Sequence, residues 1–167
     1  MLFRSADFIQ SVFVSVRTLP ALTQPVVVWN TSSPATDFDS TSYQLQHRWP
    51  KSGVRYATAF IATERLSQLY GGCRRGELAQ PLQATHDLGV AQVWLHLRQA
   101  APDWARAWRG EDLLAHTRRG DKCPDAFLIN AAETVVGVIE FGGAYHAERL
   151  RDFHIDCADR GLPYQIW

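Results

Sequence analysis

Two carboxylic acids stand at the ends of neighbouring apolar runs. Asp125 follows Pro124 and opens the run AFLIN, and Glu140, fifteen residues further on, closes the run VVGVIE. A tight hairpin between these runs would bring both acids to one edge of a sheet. Two carboxylates there can hold Mg²⁺ or Mn²⁺, since these hard ions prefer oxygen ligands and retain several waters. Such a metal can activate water and stabilise the charge that develops in phosphodiester cleavage.

The second half of the chain predicts the elements that would position this pair. A helix begins at the N-cap residue Thr85 and runs to about Ala100, near Pro102. A helical turn over DWARAWRGEDLL then leads into a short strand or a second helix. Two strands, CPDAFLIN and ETVVGVIEF, are followed by a helix that stops at Gly161 and by the short final strand PYQIW. This order predicts an α/β fold with a mixed sheet and helices packed on it.

The first half of the chain carries weaker signals. SVFVSV and PVVVW are typical of strands, and residues 30 to 42 predict a loop or linker. Residues 54 to 70 predict a strand passing into a helix, and the following CRRGE predicts a basic turn. The predicted divisions are an N-terminal segment 1–50 of uncertain structure, a connecting segment 51–84 and an α/β domain 85–167.

Length, charge and cysteine content limit the number of domains, the partners and the location of the protein. The 167 residues allow one domain with a core, or one domain and a smaller segment, and 17 basic residues balance 17 acidic ones. Residues 1–79 nevertheless hold 8 basic against 5 acidic residues, so this half suits a polyanion better. Three widely spaced cysteines indicate a reducing, cytoplasmic location. Charged residues interrupt the apolar N-terminus, so we expect neither a signal peptide nor a membrane span.

The acids also carry a resemblance to a known family. Pro124-Asp125, Glu140 and a preceding helix with Asp87 resemble the signature of PD-(D/E)XK nucleases. The segments THDL, WRGEDL, KCPDA and VIEFGGAY further resemble the replication-relaxation family of plasmids and mobile elements. This resemblance spans about residues 60–167. It implies a restriction-endonuclease-like mixed sheet flanked by helices, a β-rich or partial winged-helix segment before it, and DNA as the partner.

The resemblance also implies roles for individual residues. Asp125 and Glu140 would be catalytic and hold the Mg²⁺ or Mn²⁺, and Asp87 or Glu111 would assist. Gly142 stands where the nuclease signature has lysine, and glycine cannot polarise a phosphate. Lys122, three residues before Asp125, could reach the site, as could Arg149 from the next helix, but neither stands at the position where the signature has its lysine.

Each of these acids also has an ordinary structural interpretation. Asp125 after proline can cap a turn, Glu140 can pair with Arg149, and Asp87 can face the helix dipole. A zinc site at His154 and Cys157 is disfavoured because no second ligand pair accompanies it.

Three functions therefore stay open. The first is a DNA-binding or plasmid replication and mobilisation accessory protein whose nuclease-like domain does not cleave. The second is a metal-dependent DNA endonuclease. The third is a protein-interaction module, as a homodimer or with another protein, for which six tryptophans and the neutral net charge argue.

Overall fold

The computed structural model describes residues 8–70, 83–114 and 123–167. The strands are β1 (Ile9–Arg17), β2 (Val27–Trp29), β3 (Val54–Ala62), β4 (Trp108–Gly110), β5 (Ala126–Ile129), β6 (Val135–Glu140) and β7 (Tyr164–Ile166). The helices are α1 (Phe38–His47), α2 (Glu64–Tyr70), α3 (Ala84–Ala100), α4 (Pro102–Ala107), α5 (Glu111–Leu114) and α6 (Ala147–Asp159). None of the helices in the described ranges is long and apolar enough to cross a membrane.

Contacts divide the chain into two compact units. The N-terminal unit comprises residues 1–18 and 51–87, and the C-terminal unit comprises residues 19–50 and 88–167. Residues 19–50 thus make their contacts mainly with the second half of the chain. Contacts within a folded chain do not show which parts fold independently, so the sequence-based division into domains stays a prediction.

Most predicted elements are confirmed. SVFVSV and PVVVW lie in β1 and β2, residues 54 to 70 form β3 and α2, and the predicted helices and strands of the second half are present. DWARAWRGEDLL forms both a strand, β4, and a second helix, α5. The N-cap assigned to Thr85 is wrong: this residue lies inside α3, and its Oγ1 accepts a hydrogen bond from the Arg17 N–H at 3.1 Å. The predicted CRRGE turn lies outside the described residues.

The loop predicted over residues 30 to 42 is wrong in its second half, where α1 begins. Asp37 is the N-cap of this helix, and its Oδ1 accepts hydrogen bonds from the N–H groups of Asp39 and Ser40 at 3.1 and 3.0 Å. Aspartate, serine and threonine are enriched both in loops and at helix starts, which explains the error.

Replacing Asp37 with alanine should destabilise the C-terminal unit by about 1 kcal/mol, the usual contribution of an N-cap. Urea unfolding followed by circular dichroism measures the change. Asp37→Asn is the matched control, because asparagine caps as well as aspartate and should leave the free energy of unfolding nearly unchanged. Equal stability of the alanine variant and the unmodified protein would show that the cap contributes nothing.

A five-stranded mixed sheet forms the centre of the C-terminal unit. Its strand order is β2-β7-β6-β5-β4, and β6 and β7 run parallel while the other pairs run antiparallel. β5 and β6 form the predicted hairpin, and α6 makes the crossover to β7. At the hairpin turn the Asn130 side chain accepts hydrogen bonds from the N–H groups of Ala132 and Thr134 at 2.9 and 3.0 Å. The predicted mixed sheet with helices is confirmed.

The sheet is buried on both faces, which explains its nearly unbroken apolar strands. On one face Ala126, Leu128, Ile139, Phe141 and Trp167 pack with Val93 and Leu97 of α3. On the other face Phe127, Val138, Tyr164 and Ile166 pack with Leu45 of α1 and with Leu150 and Cys157 of α6. Side chains alternate between the faces of a strand, so Glu140 lies on the face of Val138, beneath α6.

Candidate functional site

The hairpin brings Asp125 and Glu140 together. The Asp125 N–H donates to Glu140 Oε2 at 3.2 Å, and the Phe141 N–H donates to Asp125 Oδ2 at 2.6 Å. Both acids are buried, with 8% and 6% of their surfaces exposed. Each carboxyl group therefore accepts a hydrogen bond from the backbone of the opposite chain segment.

Strand register produces this arrangement. Ala126 of β5 lies opposite Ile139 of β6, so the residue before β5 faces the last residue of β6. A slip by one residue would move every side chain of one strand to the other face of the sheet. The large apolar side chains on both faces resist such a slip, and the core thereby fixes the positions of the two acids.

Tyr145 and Arg149 complete the surroundings of Glu140. The Tyr145 hydroxyl donates to Glu140 Oε1 at 2.7 Å, and Arg149 Nη2 donates to the same hydroxyl at 2.8 Å. Arg149 Nη2 is also 3.9 Å from Glu140 Oε1, but the arginine side chain is 64% exposed. The sequence suggested Arg149 as a partner of Glu140, and Tyr145 was missed. The spacing of four residues between Tyr145 and Arg149, around the start of α6, is the signal that could have indicated Tyr145.

Electrostatics perturb Glu140 strongly. Burial, and then the neighbouring charge of Asp125, raise the pKa of Glu140 to about 7. The hydrogen bonds from Tyr145 and from the Asp125 backbone, together with the charge of Arg149, act in the opposite direction. Burial also raises the pKa of Tyr145, so its hydroxyl stays protonated and available as a donor at neutral pH. A cation near the pair would favour the charged form of Glu140.

Glu140 lines a cavity of about 280 Å³ between the hairpin and α6. Phe127, Val138 and Phe153 give the cavity an apolar lining, and Arg149, Asp156 and Arg160 supply charge. Arg160 Nη1 is 3.1 Å from Asp156 Oδ2, so this arginine is already paired within the protein. Two arginines beside a buried carboxyl group suit a ligand that carries negative charge, or a metal ion together with such a ligand. The cavity is also lined by Cys123, Pro124 and Cys157.

The structure describes two of the other three predicted site residues, Asp87 and Glu111. Asp87 belongs to the N-terminal unit, where its Oδ1 is 3.8 Å from His86 Nδ1. The Glu111 N–H donates to the Asp125 carbonyl oxygen at 3.0 Å, while its side chain is exposed. Lys122 lies outside the described residues.

The described residues contain no group of three or more His, Cys, Asp or Glu side chains that could hold a metal ion. The zinc site disfavoured on sequence grounds thus gains no support. Asp125 and Glu140 can supply two carboxylate ligands, and two carboxylates with waters suffice for many Mg²⁺ sites. Their metal-binding role stays a prediction.

Position 142 lies against the core. A Cβ atom on Gly142 would be 2.7 Å from Ile166 Cγ2 and 3.0 Å from Leu45 Cδ1, and both of these side chains are buried. The place where the nuclease signature has lysine is thus filled by apolar side chains from β7 and α1. Sequence analysis missed this because it did not predict α1.

Replacing Tyr145 with phenylalanine should destabilise the protein by about 1–2 kcal/mol at pH 8, since the buried carboxylate of Glu140 loses a donor. The loss should be smaller at pH 5, where Glu140 is protonated and a hydrogen bond to its charged form no longer matters. Urea unfolding at both pH values tests this. Tyr43→Phe is the control because Tyr43 is 63% exposed. An equal loss at the two pH values would contradict a contact with the charged carboxylate.

Comparison of the chain with protein-family models, curated proteins and solved structures finds no match. Family membership therefore stays at the level of the resemblance carried by the motifs.

Proposed function

We propose that this is a DNA-binding accessory protein of plasmid replication or mobilisation, with a nuclease-like C-terminal unit that does not cleave. The support is the combination of topology and acids: α3, the hairpin β5–β6, α6 and β7 build one mixed sheet with its covering helices. Asp125 and Glu140 meet where the hairpin opens towards α6. A restriction-endonuclease-like fold with the acids of its signature in place accounts for both features.

The packing around Gly142 is the observation that argues against cleavage. Leu45 and Ile166 occupy the space into which a lysine side chain would project. Phosphodiester cleavage needs positive charge where negative charge develops in the transition state, and this position does not supply it. Arg149 is committed to the hydroxyl and ring of Tyr145, with its guanidinium carbon 4.1 Å from the ring centre.

Asp125 and Glu140 would still hold Mg²⁺ or Mn²⁺. The fit rests on the two adjacent buried carboxyl groups: burial and then the charge of Asp125 raise the pKa of Glu140, and a cation would favour its charged form. A bound ion would supply positive charge for a phosphate group. Arg149 and Arg160 line the same cavity, but each already has a partner within the protein, Tyr145 and Asp156 respectively.

The proposal is tested by binding and cleavage assays on the full chain. Fluorescence anisotropy with labelled DNA should show binding at low salt that weakens as salt rises, since phosphate contacts release counterions. Supercoiled plasmid incubated with Mg²⁺ or Mn²⁺ should remain intact. No binding at any salt concentration would end the proposal.

Metal binding has its own test. Mn²⁺ added at pH 8 should raise the melting temperature of the unmodified protein, because an ion that binds only the folded state stabilises it. Asp125→Asn and Glu140→Gln should abolish that rise, and Glu148→Gln, which removes an exposed carboxyl group of α6, should not. A rise that is equal in all four proteins would place the ion elsewhere.

A metal-dependent endonuclease is the second candidate function. The specific observation in its favour is that Glu140, with its raised pKa, faces a cavity that also contains Arg149. Nicking of plasmid DNA that Asp125→Asn abolishes would establish this function. The same result would overturn the non-cleaving proposal.

A further inference from the structure

The two strands of the N-terminal unit form an exposed ribbon. Their antiparallel register places Phe13 opposite Thr58, Ser15 opposite Tyr56, and Ser11 opposite Phe60. Residues opposite one another share a face, as do alternate residues of one strand. We define the ribbon face as Ser11, Phe13, Ser15, Arg17, Val54, Tyr56, Thr58 and Phe60, all of which are exposed.

Three aromatic rings dominate the ribbon face. Phe13, Tyr56 and Phe60 are 75%, 73% and 64% exposed. The rings of Phe13 and Tyr56 are stacked, with centres 5.5 Å apart and planes 9° from parallel. The opposite face of β1 carries Val14 and Val16, which are buried. A strand whose outer face is aromatic while its inner face is already buried indicates a binding surface.

The charge and the hydroxyl groups of the ribbon indicate which kind of partner it binds. β1 and β3 carry Arg17 and Arg55 and contain no acidic residue. Arg17 belongs to the ribbon face, and Arg55 is an exposed residue of the other face near the same end of the ribbon. Hydroxyl groups from Ser11, Ser15 and Thr58 lie between the aromatic rings on the ribbon face. Positive charge and hydroxyl donors suit phosphate groups, and flat exposed rings suit nucleobases.

We infer that the ribbon face binds single-stranded DNA, with bases stacked on Phe13, Tyr56 and Phe60 and a phosphate held by Arg17. This inference rests on the proposed DNA-binding function and names the form of DNA that is bound. A duplex covers the faces of its bases, so the rings can stack only on unpaired ones. Each strand has nine residues and is about 30 Å long, which spans several nucleotides.

The test compares single-stranded and duplex DNA on the same protein. A labelled oligothymidine of about 12 nucleotides falls within the usual site size of a single-strand-binding surface. We expect it to bind more tightly than a duplex of equal length. Phe13→Ala, Tyr56→Ala and Phe60→Ala should each weaken binding of the single strand about tenfold or more. Tyr43→Ala is the matched control, since Tyr43 is an exposed aromatic residue of α1 in the C-terminal unit.

Conservative variants separate stacking from general hydrophobic contact. Phe13→Leu and Phe60→Leu keep an apolar side chain but remove the flat ring, so they should weaken binding nearly as much as alanine does. Arg17→Gln should reduce the slope of log affinity against log salt by about 0.7, and Arg55→Gln, on the other face, should reduce it less. Thermal unfolding of each variant should match the unmodified protein, because these side chains are exposed.

Three results would overturn the inference. The first is unchanged affinity for the single strand in all alanine variants while duplex binding persists, which leaves the proposed DNA-binding function intact. The second is full binding by the leucine variants, which would show that the rings do not stack on bases, or self-association of the protein that the alanine variants abolish, which would show that the face docks on protein. The third is the absence of binding to any DNA, which ends both proposals together.

Discussion

Replacing Gly142 with lysine is expected to destabilise the C-terminal unit by about 3 kcal/mol or more, instead of creating a nuclease. The first atom of any side chain at this position would lie 2.7 Å from Ile166 Cγ2, which is attached to a branched carbon and cannot rotate away freely. Leu45 and Ile166 are at most 1% exposed, so the added chain also has no nearby route to solvent. Burial of the lysine ammonium group would add to the loss.

The matched control is Gly53→Lys, because a Cβ atom on Gly53 would meet nothing within 4 Å. That variant should change the free energy of unfolding by no more than about 0.5 kcal/mol. Leu45→Ala should partly compensate Gly142→Lys, so the double variant should lose less stability than the two single losses added together. A stable Gly142→Lys variant that cleaves DNA would refute this account of the site.

The central part of the site could be predicted from sequence because it depends on local patterns. Two apolar runs of strand length with a connection of two residues predict a hairpin, and antiparallel pairing then places the residue before one strand beside the end of the other. The proximity of Asp125 and Glu140 follows from that rule alone. The same patterns predicted β7 and the mixed sheet.

The features of the site that were not predicted from sequence depend on contacts between distant segments. Leu45 lies almost a hundred residues before Gly142, and nothing in its own segment indicates that it fills the space beside this glycine. Asp37, Ser40 and Thr41 are equally typical of a loop and of a capped helix start, so composition could not separate the two. The contact of the half-buried Tyr145 hydroxyl with Glu140 likewise follows from how α6 packs, and the sequence shows only a tyrosine and an arginine four residues apart.

The stability of the protein should fall as pH rises through the range in which Glu140 loses its proton. Its pKa is raised from 4.5 to about 7 on folding, so the folded chain binds a proton more tightly than the unfolded chain. The stabilisation associated with that proton is complete below pH 4.5 and is lost as pH rises through about 7. The difference between these limits is roughly 3 kcal/mol for Glu140 when no metal is bound.

Glu140→Gln should remove this loss, because its amide cannot ionise. The introduced amide mimics the protonated carboxyl group: its oxygen can accept from the Asp125 N–H, and its nitrogen can donate to the Tyr145 hydroxyl, whose own proton then no longer points at residue 140. We expect the variant to be about 2–3 kcal/mol more stable than the unmodified protein at pH 8, and nearly equal to it at pH 4.5. Urea unfolding across this range, with EDTA present, measures the difference, and Glu148→Gln controls for loss of an exposed carboxyl group. A difference between Glu140→Gln and the unmodified protein that does not vary with pH would mean that the buried carboxyl group keeps one protonation state throughout.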